Sequence, residues 1–380
     1  ADQLFSQAYP ANEPGAAMLV MKDGQVVLRK GYGMAHLELG VPIQPDQVFG
    51  IGSITKQFTA TAILMLQERG QLSVEDEVTK YLPDYPTHGQ KITIDHLLTH
   101  VSGIPNYTNL LEWLPQARKD MTVQQVIDLF KDKPLEFNPG EKWAYNNSAY
   151  ILLGAVIEKV SGKSYEDFIE QEIFAPLGMK SSRYGHQREV VPGRVSGYDK
   201  GDDGYRIAEY LSMTQPYAAG SLMSTVDDLA LWAEALSGGK LLKKESLERM
   251  TTPAKLASGR NTKYAYGLGV TEEGGARLIE HGRPVVPAHV LGRLLVEVHV
   301  GVDGAQGQWS GARHDLGRHR QVGPHGGLPR RVHGLGRTPE EAAGQVVCPT
   351  SQGLTQREIV PLVSSATPAN PTTAEAKGAC

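Results

Sequence analysis

Ser53 precedes Lys56 by three residues in "FGIGSITKQF", and on a helix that spacing puts both side chains on one face. A free serine hydroxyl is a weak nucleophile and needs a neighbour to take its proton. A lysine sequestered in a cleft loses part of its preference for the charged form, so it can serve as that neighbour. If the pair opens a buried helix, the Ser53 N–H is also free to donate to an oxyanion. Those conditions describe a Ser–Lys hydrolase. Ser-x-x-Lys also arises by chance in many chains, so the remaining polar residues matter.

Further along, "AYNNSAY" places Tyr145 and Asn147 at the mouth of a helix after a Pro-Gly turn, and "IEHG" ends a strand with His281 followed by Gly282. Competing readings fall away on spacing. Lys56 lacks the preceding glycine of a phosphate loop, and there is no Gly-x-Ser-x-Gly elbow. His96 and His100 have a zinc-compatible spacing in "HLLTH" but no evident third ligand, so they are read as structural and no metal or organic cofactor is expected. Glu75-Asp76-Glu77 reads as a solvated turn. Trp143 and Tyr150 flank the Tyr145 motif as pocket or core residues.

The elements that must position these groups follow from pattern. "AMLVMK" and "QVVLRKGYG" flank Asp23-Gly24, the dipeptide of a type I′ hairpin turn. A helix starting at Ser53 is apolar almost all round from Phe58 to Leu66, which predicts a central, buried element stopped near Gly70. Thr122 and Gln125 form a capping-box pattern. Ser148–Gly162 and Ser224–Gly239 read as helices closed by glycine, and "KYAYGLGV" with "ARLIEHG" reads as a strand pair. Strands, then helices, then strands predict an α/β (α+β) chain: an antiparallel sheet flanked by helices, with a mostly helical domain inserted. The expected boundaries are 1–72 with 216–350 for the sheet domain and 73–215 for the helical one. A polar Ala/Thr/Pro-rich tail at 364–380 is expected to be disordered.

Bulk properties set limits. A net charge of −4 with 21% charged residues gives no footprint for nucleic acid. No apolar run approaches the ~20 residues of a membrane helix. Two cysteines, Cys348 and Cys380, exclude a disulfide framework. The chain begins at Ala1 rather than Met, which fits removal of a leader and a periplasmic or secreted location. A small-molecule or peptide substrate is the expected partner, and the sequence leaves the oligomeric state open.

Ser-x-x-Lys, Tyr-x-Asn and a strand-borne basic residue before glycine, in that order, resemble the serine β-lactamase/penicillin-binding-protein superfamily. The similar branch holds class C β-lactamases, D-alanyl-D-alanine carboxypeptidases, D-aminopeptidases and β-lactamase-like esterases. "ITIDHLLTHVSGIP", "FNPGEKWAYNNSAYILLGAVIEKVSG", "IFAPLGM" and "AAGSLMSTVDDLALW" extend the likeness across roughly 16–282. The resemblance implies Ser53 as acylated nucleophile, Lys56 as its activator, Tyr145 as general base or as acid to the leaving group, and Asn147 as a hold on the substrate amide. His281 then takes the place of the third-motif lysine, as in D-peptidases, with Gly282 leaving room for substrate. A phenol working as a base must be made more acidic, a task expected of Lys56 and His281 as nearby cations.

The chain departs from that pattern after Gly282. Family members draw a second oxyanion donor from the backbone just beyond this glycine, but Pro284 has no N–H. Residues 283–350 contain no Phe, Tyr, Met, Ile, Asn or Lys, whereas 215–282 contain twelve, and six of the chain's 12 histidines fall in the later stretch. The missing types share AT-rich codons, so a frame-shifted reading of a GC-rich gene is one explanation and a divergent segment the other. Only Arg293–Val302 keeps strand-like alternation, and "HGG" at His325–Gly327 fits the third motif without its strand context. Three functions remain in play: hydrolysis of D-amino-acid peptides or β-lactams through an acyl-enzyme, hydrolysis of small esters, and binding of such ligands without turnover.

Overall fold

A computed structural model describes residues 2–273 and 276–281 together with the strands Arg293–Glu297, Val300–Gly301 and Pro361–Thr367. Gly282, the Arg283–Pro284 departure and the second "HGG" lie outside the described residues.

The N-terminal hairpin forms as its turn residues require. Asp23 and Gly24 both have positive φ, 50° and 73°, the conformation a type I′ turn demands. The strands Ala16–Lys22 and Gln25–Tyr32 pair antiparallel, with Met18 opposite Lys30 and a bulge after Val20. Every residue from Ala16 to Val20 is buried, because both faces of this strand are covered. Met18 and Val20 pack with Phe5 and Tyr32, while Ala17 and Leu19 face the main core. The other edge of the same strand pairs with Pro361–Thr367, which in turn pairs with Arg293–Glu297, so the sheet order runs 293–297, 361–367, 16–22, 25–32. Ser364–Thr367, expected to begin a disordered tail, are therefore part of a ladder: backbone pairing needs no apolar composition once a neighbouring strand offers its free edge.

The helix expected at Ser53 is a 3-10 turn at Gly52–Ile54 running into an α-helix at Thr55–Glu68. Thr55 to Leu66 are all buried. Phe58 stacks on Trp232 at 4.1 Å, and the Trp232 indole N–H donates to Gln57 Oε1 at 2.8 Å, which ties the helix to Val226–Ser237. Gly70 at φ 71° ends it, its N–H donating to Gln67 O. The second central helix is Asn147–Ser161, capped by the Asn146 side chain on the Ala149 N–H and stopped by left-handed Gly162. Gly154 on this helix meets the Tyr217 ring so closely that a Cβ would lie 2.2 Å from it. That proximity brings the Tyr217–Gly220 turn of helix down onto the two central helices.

Two local expectations change. Thr122 and Gln125 do form the reciprocal capping box. However, Lys263–Leu268, expected in a strand, form a loop, and the hairpin is Gly269–Glu273 with Ala276–Glu280. The alternation is there, but Lys263 and Gly267 hold φ of 61° and 69°, which no strand accommodates. The mostly helical stretch also contains an unforeseen small hairpin, Tyr198–Gly201 with Gly204–Ile207. Among the described residues no helix is long and apolar enough to cross a membrane.

Candidate active site

Ser53 sits in the 3-10 turn that precedes the central helix, where N–H groups have no partner inside the helix. The turn is braced from both sides. Phe49 and Gly50 pair with Ser224 and Met223, and Thr55 Oγ1 accepts from the Leu222 N–H at 3.2 Å. Gly52 supplies the positive φ, 51°, that lets the chain leave the strand and enter the helix.

Lys56 is fully buried, and its Nζ donates to three oxygens: Ser53 Oγ at 3.3 Å, Asn147 Oδ1 at 2.9 Å and the Ala219 carbonyl at 2.8 Å. All three are uncharged. Burial without a carboxylate partner pushes the ammonium well below the ordinary lysine range. The Nζ also stands 4.8 Å from the centre of the Tyr145 ring and 5.3 Å from that of Tyr150. Ser53 and Lys56 are thus brought together as their spacing predicts.

Asn147 is used twice over. Its Oδ1 accepts from Lys56, and its Nδ2 donates to Thr108 Oγ1 at 3.2 Å, so in this state both ends of the side chain are engaged within the protein. Tyr145 is half-buried as a residue, but its hydroxyl is sealed from solvent and has no hydrogen-bond partner among the described residues. Burial raises its phenol, opposed only by the neighbouring Ser53 hydroxyl. This reverses the expected direction of the Tyr145 shift. Counting cations predicted a more acidic phenol, yet desolvation acts on the cations as well and moves both toward neutrality.

His281 is buried at the end of the Ala276–Glu280 strand, with Nε2 3.1 Å from the Tyr264 hydroxyl and its ring centre 6.4 Å from that of Tyr145. Burial, helped by the nearby Lys56, pushes its imidazole down to about 3, so it is neutral in ordinary buffers. Its Nδ1 has no partner among the described residues.

The two histidines of "HLLTH" part company. His96 Nδ1 accepts from the Thr93 N–H within a capping box, while His100 lies beyond the helix end, buried beside Tyr145. Neither approaches the other's partners, and no group of three metal-ligating side chains occurs among the described residues. Sequence reasoning also passed over Tyr264 and the Ala219 carbonyl. A backbone carbonyl has no side-chain signature, and Tyr264 was absorbed into a presumed strand.

Gly267 belongs to this site through its backbone. A Cβ there would stand 2.7 Å from the Lys56 carbonyl oxygen, at a φ that side chains rarely adopt. Gly267→Ala is expected to destabilise the fold by about 1–3 kcal/mol and to slow any chemistry at Ser53. Urea unfolding read beside Ser53 acylation checks this, and unchanged values in both would remove Gly267 from the site.

The chain is similar to known proteins in sequence and in fold. The family model described as Beta-lactamase matches residues 2–317. Penicillin-binding protein 4* of Bacillus subtilis (strain 168) is 31% identical over 279 residues, covering 70% of this chain and 61% of that protein. The D-aminopeptidase of Gluconobacter oxydans (strain 621H) is 28% identical over 276 residues, covering 71% of this chain and 51% of that one. The chain thus spans only about half to three fifths of the length of these curated relatives. Among solved structures, a penicillin binding protein from Bacillus halodurans superposes with a TM-score of 0.65 at 26% identity, covering 78% of this chain and 89% of that chain.

Proposed function

The chain belongs to the Beta-lactamase family, and from that premise we propose that it is a serine hydrolase acting through an acyl-enzyme on amide or ester carbonyls. The observation that carries the proposal is the buried Lys56 amine, held by three uncharged oxygens with Ser53 Oγ among them. Burial favours the neutral amine, which lets a lysine so placed serve as the base. It takes the Ser53 proton as Oγ bonds to the carbonyl carbon, and the oxyanion that forms faces the Ser53 N–H. Tyr145, kept protonated by burial and with the Ser53 hydroxyl as its neighbour, gives its proton to the leaving nitrogen or oxygen, and the proton that Lys56 took from Ser53 returns to the phenolate. Water then attacks the ester on Ser53 and restores the free enzyme.

D-amino-acid peptides or β-lactams are the favoured substrates, because a histidine occupies the third-motif position and a D-aminopeptidase is among the relatives. Intact-protein mass after exposure to a penicillin or an activated ester tests the reading: an adduct on the Ser53 peptide is expected, and its absence with both reagents sinks it. Rapid hydrolysis of p-nitrophenyl acetate with D-aminoacyl anilides untouched would assign the site to small esters instead. The binding-only alternative is favoured by Pro284, which lacks the N–H expected just past Gly282. It predicts saturable penicillin binding with no adduct.

A further inference from the structure

We propose that His100 is the positioning residue for Tyr145, gripping the chain on both sides of it. The His100 carbonyl accepts the Ala144 N–H at 3.0 Å, and His100 Nδ1 accepts the Asn146 N–H at 3.2 Å. Tyr145 is the one residue between those two anchors. The His100 ring lies 4.5 Å from the Tyr145 ring and 4.7 Å from that of Tyr264, so the phenol is confined by ring packing as well as by its backbone.

Three features distinguish this from ordinary core packing. His100 holds φ at 62°, a left-handed conformation uncommon for any residue with a side chain, and that conformation accompanies carbonyl and imidazole both reaching the one segment. Because Nδ1 accepts an N–H, the ring must carry its hydrogen on Nε2 and be neutral. Its surroundings favour that state: burial above all acts against protonation. Finally, Nε2 is buried without a hydrogen-bond partner among the described residues, so the imidazole accepts an unsatisfied donor while its acceptor serves Asn146. A leucine or phenylalanine would fill the same space without that donor, but neither could hold the Asn146 N–H.

Asn146 also caps the helix that delivers Asn147 to Lys56. Through one ring nitrogen, His100 therefore fixes Tyr145 relative to the Ser53–Lys56 pair, and its effect rests on the acyl-enzyme reading given above. An error of about 1 Å in such a group is enough to cost roughly a hundredfold in rate.

Two variants separate the hydrogen bond from the strain. His100→Gly relieves the left-handed backbone and removes the acceptor, whereas His100→Asn tolerates that backbone and keeps an oxygen where Nδ1 stands. In the full chain, His100→Gly is expected to slow Ser53 acylation by about 10- to 100-fold while initial substrate affinity changes by less than about threefold. Amide exchange at Asn146, read by NMR, should accelerate at least about tenfold with Ala144 unchanged, as losing one bond of the two implies. His100→Asn should stay within about threefold of the native protein in both readouts. Native acylation rates in the glycine variant, an asparagine variant as slow as the glycine one, or an unchanged Asn146 amide in the glycine variant would each overturn the assignment. If the native protein forms no adduct, the hydrolase reading fails, and the Asn146 exchange rates alone decide whether His100 holds this segment.

Discussion

Ser53→Ala is expected to abolish the covalent adduct with penicillins and activated esters and to lower turnover by at least ~10⁴-fold, because it removes the hydroxyl that the Lys56 amine holds. The substitution deletes one half-buried oxygen and leaves the rest standing: Lys56 keeps Asn147 Oδ1 and the Ala219 carbonyl. The fold should therefore change stability by no more than about 0.5–1 kcal/mol. Substrate should still bind saturably, since its surroundings are intact. Intact mass, chromogenic turnover and equilibrium binding measured on one preparation check all three parts. An adduct that persists in the variant, or turnover within tenfold of native, would move the nucleophile away from Ser53.

Lys56→Met should reduce acylation by ~10³-fold or more while keeping length and apolar volume in the buried slot. Its sharper signature is in pH. In the native protein acylation should rise with pH along a limb that lies below the ordinary lysine value of 10.5, since burial lowers the Lys56 pKa. That limb should vanish in the variant. Stability carries the same signature with a determinate sign. At any pH below 10.5 the unfolded chain binds this proton more tightly than the folded one, so burying the charged amine costs stability. The cost is greatest below the folded-state pKa and fades as pH rises from there to 10.5. Native stability should therefore increase with pH across that window relative to Lys56→Met, when both are unfolded in urea at several pH values. Parallel stability curves for the two proteins would show that Lys56 is not desolvated in solution.

The parts of the site that the sequence reveals are those with side chains at helical spacing or beside turn residues. Ser53 and Lys56 meet because a 3-10 turn runs directly into an α-helix, and Asn147 arrives because Asn146 caps its own. Asp23-Gly24 and Thr122/Gln125 behave as local chemistry dictates. What escapes is set by tertiary contact. Ala219 contributes only a carbonyl. His100 is a motif histidine whose meaning depends on Asn146, 46 residues away in sequence. The strand forecast for Lys263–Leu268 matched a period of two and failed on two left-handed residues, one of them Gly267 against the Lys56 carbonyl. The Tyr145 shift was misjudged because charge can be read from a sequence, whereas the depth of a hydroxyl outside any periodic element cannot.

The pairing of Ala16–Lys22 with Pro361–Thr367 has a consequence for how the protein is made. On the ribosome the first strand emerges early, yet the neighbour that covers its open edge is synthesised more than three hundred residues later. At roughly 5–20 residues per second the wait is on the order of tens of seconds. Throughout it, a hairpin whose first strand is apolar presents unpaired backbone groups to every other nascent chain nearby. Synthesis should therefore depend on a chaperone that shields this hairpin, and chains truncated before residue 361 should aggregate rather than accumulate as a soluble, partly folded protein.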